Sequence, residues 1–166
     1  IGNIVEVQEL KIHVRALGDV SKINLLNLKE VKGDLSLYRN TAWPELKDPD
    51  SEKENTLEVT LQKLEHIAGD FIVQNIYHSI IFNTTRSIKI DGSVIIGYNS
   101  DFGTYNGVPY PVSDWYNEGN EFLSFIGLNS VREVGGNLYV AANPNLEHLD
   151  AMNRLDSIGG NLILHD

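Results

Sequence analysis

The chain has 166 residues, enough for one domain with a sizeable buried core, and no cysteine, so it has neither a disulfide framework nor a thiolate nucleophile or metal site. Its 13 Lys and Arg stand against 23 Asp and Glu, a net charge of −10, with no basic cluster to follow a phosphate backbone; nucleic acid and anionic membranes are poor partners. No apolar run approaches the roughly 18 residues that span a bilayer, and the opening IGNIVEV has no targeting pattern, so any targeting segment is expected to lie outside this sequence.

Residues 1–22 hold one imperfect phrase, GNIVEV at Gly2, which puts Glu6 where an apolar residue is expected and reads as an N-terminal cap or degenerate unit. From residue 23 the phrase recurs in full. With its Gly as origin, copies fall at Gly33, Gly69, Gly92, Gly136 and Gly160, spaced by 36, 23, 44 and 24 residues, which is a unit of about 24 enlarged twice by insertions. At offsets −8, −5, −2, +2 and +4 the first copy reads Leu25, Leu28, Val31, Leu35, Leu37, and the second Leu61, Leu64, Ile67, Phe71, Val73. The third is weaker: Thr84 and Ser87 precede Ile90, Val94 and Ile96. The fourth reads Leu128, Val131, Val134, Leu138, Val140, and the last Met152, Leu155, Ile158, Leu162, Leu164.

Each offset has a physical meaning. Apolar residues at +2 and +4 alternate with others, the pattern of a short strand with one face buried. Those at −8, −5 and −2 recur every three residues, which suits a 3-10-like or extended segment that repeatedly tucks one side chain inward. The Gly supplies a corner where φ can be positive. Asp34, Asp70, Ser93, Asn137 and Asn161 follow it and can hydrogen-bond the exposed backbone of that corner. Asn40, Asn99 and Asn143 at +7 suit a left-handed turn whose amide reaches the next unit. One such unit cannot bury its own apolar face, so the units must stack with parallel strands, and parallel crossovers are right-handed. The predicted fold is mainly β: a right-handed parallel β-helix or solenoid, one domain over 1–166. An α/β domain would need helices of about ten residues between strands, and no stretch of that length has a 3.6-residue period. The strand at 161–164 would be a bare edge, so further units, a cap or another molecule are expected there.

The phrases LDSIGGNLILHD and VREVGGNLYVAAN resemble the receptor L-domain family, relatives of leucine-rich repeats that form a right-handed β-helix. Members include ligand-binding domains of insulin and epidermal growth factor receptors, fungal cell-wall proteins of the sporulation-specific type, and surface proteins of Bacteroidetes. The resemblance covers residues 23–166. It implies an extracellular, non-enzymatic module of a longer surface protein that binds a glycan or a protein, with no cofactor and no catalytic residue to carry over. Receptor and fungal members usually carry disulfides; the absence of cysteine favours the bacterial branch.

Two insertions interrupt the repeat, at 40–56 and 98–122, both at the turn after the second strand residue and two units apart. With strands about 4.8 Å apart, their roots are expected to lie on the order of 10 Å from each other, as opposite walls of one groove. The second insertion is rich in aromatics (Tyr98, Phe102, Tyr105, Tyr110, Trp115, Tyr116) and the first adds Trp43. Aromatic faces beside carboxylates and amides suit sugar recognition, and equally can pack down to hold long loops in place. The candidate ligand-binding residues are Trp43, Tyr105, Tyr110, Asp114, Trp115 and Tyr116. Two other readings stay open: a polysaccharide lyase or hydrolase using Asp101 and Asp114 as acid and base, or a structural spacer in a larger surface protein. Asp48, Asp50 and Glu52 alternate as in a calcium loop but lack the Gly and distal Glu of an EF-hand, and read as a solvated acidic loop. The histidines His13, His66, His78, His148 and His165 show no metal-site spacing; His66, His148 and His165 fall at polar offsets and read as surface residues. Asn83 begins a formal N-glycosylation triplet, NTT.

Overall fold

The computed structural model describes residues 3–13, 22–38, 57–74, 76, 80–97, 104–105, 108–109, 125–126, 128–141, 143, 146 and 152–165. They form a mainly β structure built from parallel sheets. Helix among them is confined to short 3-10 turns such as Leu128–Ser130.

The strands fall into three parallel sheets that the chain visits in rotation. The first sheet holds β1 (Glu6–Val7), β4 (Glu30–Val31), β7 (His66–Ile67), β10 (Ile88–Ile90), β15 (Val131–Val134) and β17 (Ser157–Ile158). The second holds β2 (Leu10–His13), β5 (Leu35–Tyr38), β8 (Phe71–Gln74), β11 (Val94–Gly97), β16 (Leu138–Ala141) and β18 (Leu162–His165). The third holds β3 (Lys22–Asn24), β6 (Leu57–Thr60), β9 (Ile80–Asn83) and β14 (Phe125–Ile126). A separate antiparallel pair, β12 (Thr104–Tyr105) and β13 (Val108–Pro109), lies within the second insertion. One passage through the three sheets is called a circuit below.

Register carries the repeat into space. Position +2 becomes a row, Leu10, Leu35, Phe71, Val94, Leu138 and Leu162, each paired with the next, and position +4 becomes the row Ile12, Leu37, Val73, Ile96, Val140 and Leu164. Apart from Leu10, Leu162 and Leu164, these rows, with Val31, Ile67, Ile90 and Val134 of the first sheet and Val59, Ile80 and Phe82 of the third, form one core cluster, against which Leu10 packs. Phe71 and Phe82 meet edge to face across it, with centroids 5.4 Å apart. Full burial of each such aliphatic side chain contributes about 1.5–3 kcal/mol. At the last circuit nothing described stacks on the rows, and Leu162 and Leu164 are 58% exposed.

The three-residue spacing resolves into two local structures. Between −8 and −5 the chain makes a tight turn in which Leu28 N donates to Leu25 O, Leu64 N to Leu61 O and Leu155 N to Met152 O, at 3.1–3.2 Å; the 3-10-like expectation holds here. Position −2 then enters the first sheet. The weak third copy is repaired by a register shift between Ile88 and Lys89 that sets Ile88 opposite Val131. Ile88, 3% exposed, thereby fills the inward place that Ser87 leaves vacant. A residual cavity of about 10 Å³, bounded by Thr84, Leu61, Phe71 and Leu128 among others, marks the remaining mismatch and is barely one water in size.

The corner glycines serve a different purpose from the one expected. Among the described residues only Gly97 has positive φ, 104°. Gly69, Gly92, Gly136 and Gly160 are required because the backbones nearly touch: each N–H donates to the carbonyl of the corner glycine before it, at 3.0, 3.1, 2.8 and 2.8 Å. A Cβ at Gly69 would lie 2.6 Å from the Gly33 carbonyl carbon and would also collide with Asp34 Oδ1. The next residue adds a second ladder. Asp34 Oδ1 accepts from Asp70 N (2.8 Å), Asp70 Oδ1 from Ser93 N (2.7 Å), Ser93 Oγ from Asn137 N (3.0 Å) and Asn137 Oδ1 from Asn161 N (2.8 Å). The first circuit departs from this scheme. Its corner is Gln8–Glu9, between β1 and β2, so the phrase at Gly2 is not the structural equivalent of the others.

Candidate functional site at the loop-bearing edge

Both insertions leave the second sheet and return to the third. The first departs after Tyr38, the end of β5, and returns at Leu57, the start of β6; the second departs after Gly97, the end of β11, and returns to β14 at Phe125. Strand β8 separates β5 from β11, and β9 separates β6 from β14. The roots are therefore two strand spacings apart on both sheets, on the order of 10 Å. Between them the third circuit crosses from Gln74 to Ile80 by a short connection, in which Ile76 is buried. Two long connections thus flank one short one.

Local chemistry fixes the second root. Asn143, 8% exposed, donates its amide to Ile96 O at 3.0 Å and Ala141 O at 2.9 Å. It satisfies a carbonyl of the preceding circuit, whereas the sequence pointed it toward the following one. Gly97 adopts its positive φ where a Cβ would collide with Ala141 O. Asn40 and Asn99, the other two turn positions, lie outside the described residues.

Beside the roots, the outward row of the second sheet reads Lys11, Ser36, Ile72, Ile95, Tyr139 and Ile163. It is unusually apolar for an outer face. Ser36 and Ile95 are 2% and 1% exposed, and the Ser36 hydroxyl has no hydrogen-bond partner among the described residues.

Of the six candidate ligand-binding residues, Tyr105 falls on the short strand β12. Trp43, Tyr110, Asp114, Trp115 and Tyr116 lie outside the described residues, as do Asp101 and the acidic stretch with Asp48, Asp50 and Glu52. Asn83 of the NTT triplet is half-buried and donates to Glu58 Oε1 at 2.7 Å; Lys22 pairs with the other oxygen of Glu58 at 2.9 Å.

A polar cluster that sequence reasoning left as plain surface lies on the first sheet. Its outward row runs Glu6, Glu30, His66, Lys89, Glu133 and Ser157. His66 faces outward as its offset implies, yet both ring nitrogens are engaged: Nδ1 lies 3.2 Å from Glu30 Oε1 and Nε2 2.8 Å from Asp91 Oδ2. The Asp91 hydrogen bond, followed by that of Glu30, holds the imidazole pKa above its ordinary value against the opposing effect of partial burial. Asp91 is correspondingly held below the usual carboxylate range by His66 and then by Lys89, whose Nζ is 3.1 Å away. Lys32 is pushed up by its hydrogen-bonded partner Glu6. The only sequence signal for this cluster was the −3 offset shared by Glu30, His66 and Lys89.

Among the described residues no group of three or more His, Cys, Asp or Glu converges to hold a metal ion. Among them no helix is long and apolar enough to cross a membrane. No protein-family model, no curated protein and no solved structure matches this chain.

Proposed function

We propose that the chain is a right-handed parallel β-helix of the receptor L-domain kind and a non-enzymatic binding module at the cell surface, taking a glycan or a protein at its loop-bearing edge. The rotation of the chain through three parallel sheets supports the helical path, and the right-handed rule for parallel crossovers supplies its hand. The observation that carries the binding site is the placement of the two insertions: they flank one short connection at roots two strands apart, a layout suited to a trough with two walls. Composition favours a glycan. Eight of the fourteen aromatic residues belong to the insertions, and ring faces stack on the C–H surface of a sugar while nearby Asp and Asn take its hydroxyls.

The test is a glycan array probed with the wild-type chain and a Trp43→Ala/Trp115→Ala double variant, with circular dichroism to confirm that both are folded. Binding by wild type that is lost in the variant is the expected result. Binding that survives both substitutions moves the site elsewhere.

A further inference from the structure

His66 belongs to the third circuit, Glu30 to the second and Asp91 to the fourth. The second and fourth circuits are those from which the two insertions leave. On the outer face of the first sheet the imidazole reaches both neighbouring circuits, Glu30 on β4 and Asp91 just past the end of β10.

The geometry sets a protonation requirement. A neutral imidazole carries one N–H and one lone pair, so it can donate to only one of two carboxylates; the other contact then sets a lone pair against a carboxylate oxygen. Only the imidazolium donates from both nitrogens. The surrounding charges agree with this. From the side of β4 His66 meets Glu30, with Lys29 and Lys32 flanking it in sequence and Lys32 already paired to Glu6. From the side of β10 it meets Asp91, which also holds Lys89. On its own strand, neighbouring Glu65 lies 3.9 Å from Arg86. Two carboxylates therefore face the ring directly; Lys32 is paired to Glu6 and Arg86 lies near Glu65, while Lys89 shares Asp91 with the ring.

We propose that Glu30, His66 and Asp91 form a proton-dependent clamp that ties circuits two, three and four together, closed when His66 takes up a proton from solvent and slackened when it releases one. The sign follows from linkage. A histidine whose folded pKa is raised adds stability that is fully present below its unfolded value of 6.5 and is lost as pH rises through the folded value. The clamp makes the binding module firmest below pH 6.5 and lets the two loop-bearing circuits loosen as pH rises through the raised pKa of His66. That regulatory consequence rests on the insertions forming one site; the clamp itself does not.

The experiment needs no ligand, so its failure is separable from failure of the binding reading. His66 is titrated by NMR in the wild-type chain, Asp91→Asn and Glu30→Gln. A wild-type pKa above 6.5 that drops in both variants, more in Asp91→Asn because that contact is shorter, is the expected result. A wild-type pKa at or below 6.5, or one that neither variant moves, overturns the clamp. Amide exchange at Ala68 and Asp91, whose N–H groups donate to Val31 O and Ile67 O, is followed between about pH 5 and about pH 8 and corrected for intrinsic rates. Protection falls several-fold across that range in wild type and stays level in His66→Gln. Equal pH dependence in the two chains sinks the proposal.

Discussion

Replacing Gly69 by Ala isolates the feature that makes the circuits stack. At an ordinary site Gly→Ala stabilises by about 0.4–1 kcal/mol through the unfolded chain. Here the added Cβ would sit 2.6 Å from Gly33 C and 2.8 Å from Gly33 O, both backbone atoms that cannot rotate away. Relief requires the corner to separate from its neighbour, which stretches the Gly69 N to Gly33 O bond of 3.0 Å and the Asp70 N to Asp34 Oδ1 bond of 2.8 Å. Weakening two hydrogen bonds at about 0.5–1.5 kcal/mol each, with overpacking strain of about 1–3 kcal/mol, less the unfolded-chain gain, gives a net loss of about 1–5.5 kcal/mol. For a domain of this size that lowers Tm by roughly 2–20 °C, readable by calorimetry. Asp34→Ala/Gly69→Ala should recover only part of the loss, because the carbonyl clash remains. A Gly69→Ala chain as stable as wild type would refute the close-approach explanation and return the glycine to a merely conformational role.

Other substitutions probe separate parts of the account. Leu64→Ala, at a site 1% exposed in the core, should cost about 2–5 kcal/mol in urea unfolding. Ile88→Ala should cost a comparable amount while Ser87→Ala changes stability by less than about 0.5 kcal/mol; the reverse order would show that the register shift does not place Ile88 inward. Asn143→Ala leaves the carbonyls of Ile96 and Ala141 without their amide donor and should lose about 1–3 kcal/mol, with increased amide exchange around Gly97 as the local readout.

The repeat was legible because its information is periodic: the rows at −2, +2 and +4 are apolar in every complete copy, and register converts each into a continuous stack. The third sheet was not. Its inward residues stand at −12 and −10 and are both apolar in only two copies, Leu57 with Val59 and Ile80 with Phe82; the other copies have Ser21, Ser124 and His148 at −12, so no periodic row stood out. The substitution of Ile88 for Ser87 was hidden for a similar reason, since a one-residue shift moves a side chain off its expected offset. The glycines were identified correctly as corners, but a sequence shows only that a Cβ is missing. Whether the cause is φ or a neighbouring backbone depends on the circuit beneath. The His66 cluster joins residues 36 and 25 positions apart and carries no local motif. The described strands on either side of the insertions end at Tyr38 and Gly97 and resume at Leu57 and Phe125.

The most direct test of the binding module is a chain in which 39–56 and 98–122 are each replaced by the short third-circuit connection, residues 75–79. Ligand titration calorimetry, run on this chain and on wild type with whichever glycan the array selects, measures what the loops contribute. The account predicts an intact β circular dichroism spectrum, a cooperative melt and no detectable binding. A folded, loop-less chain that still binds with wild-type affinity would contradict it and place recognition on the sheets.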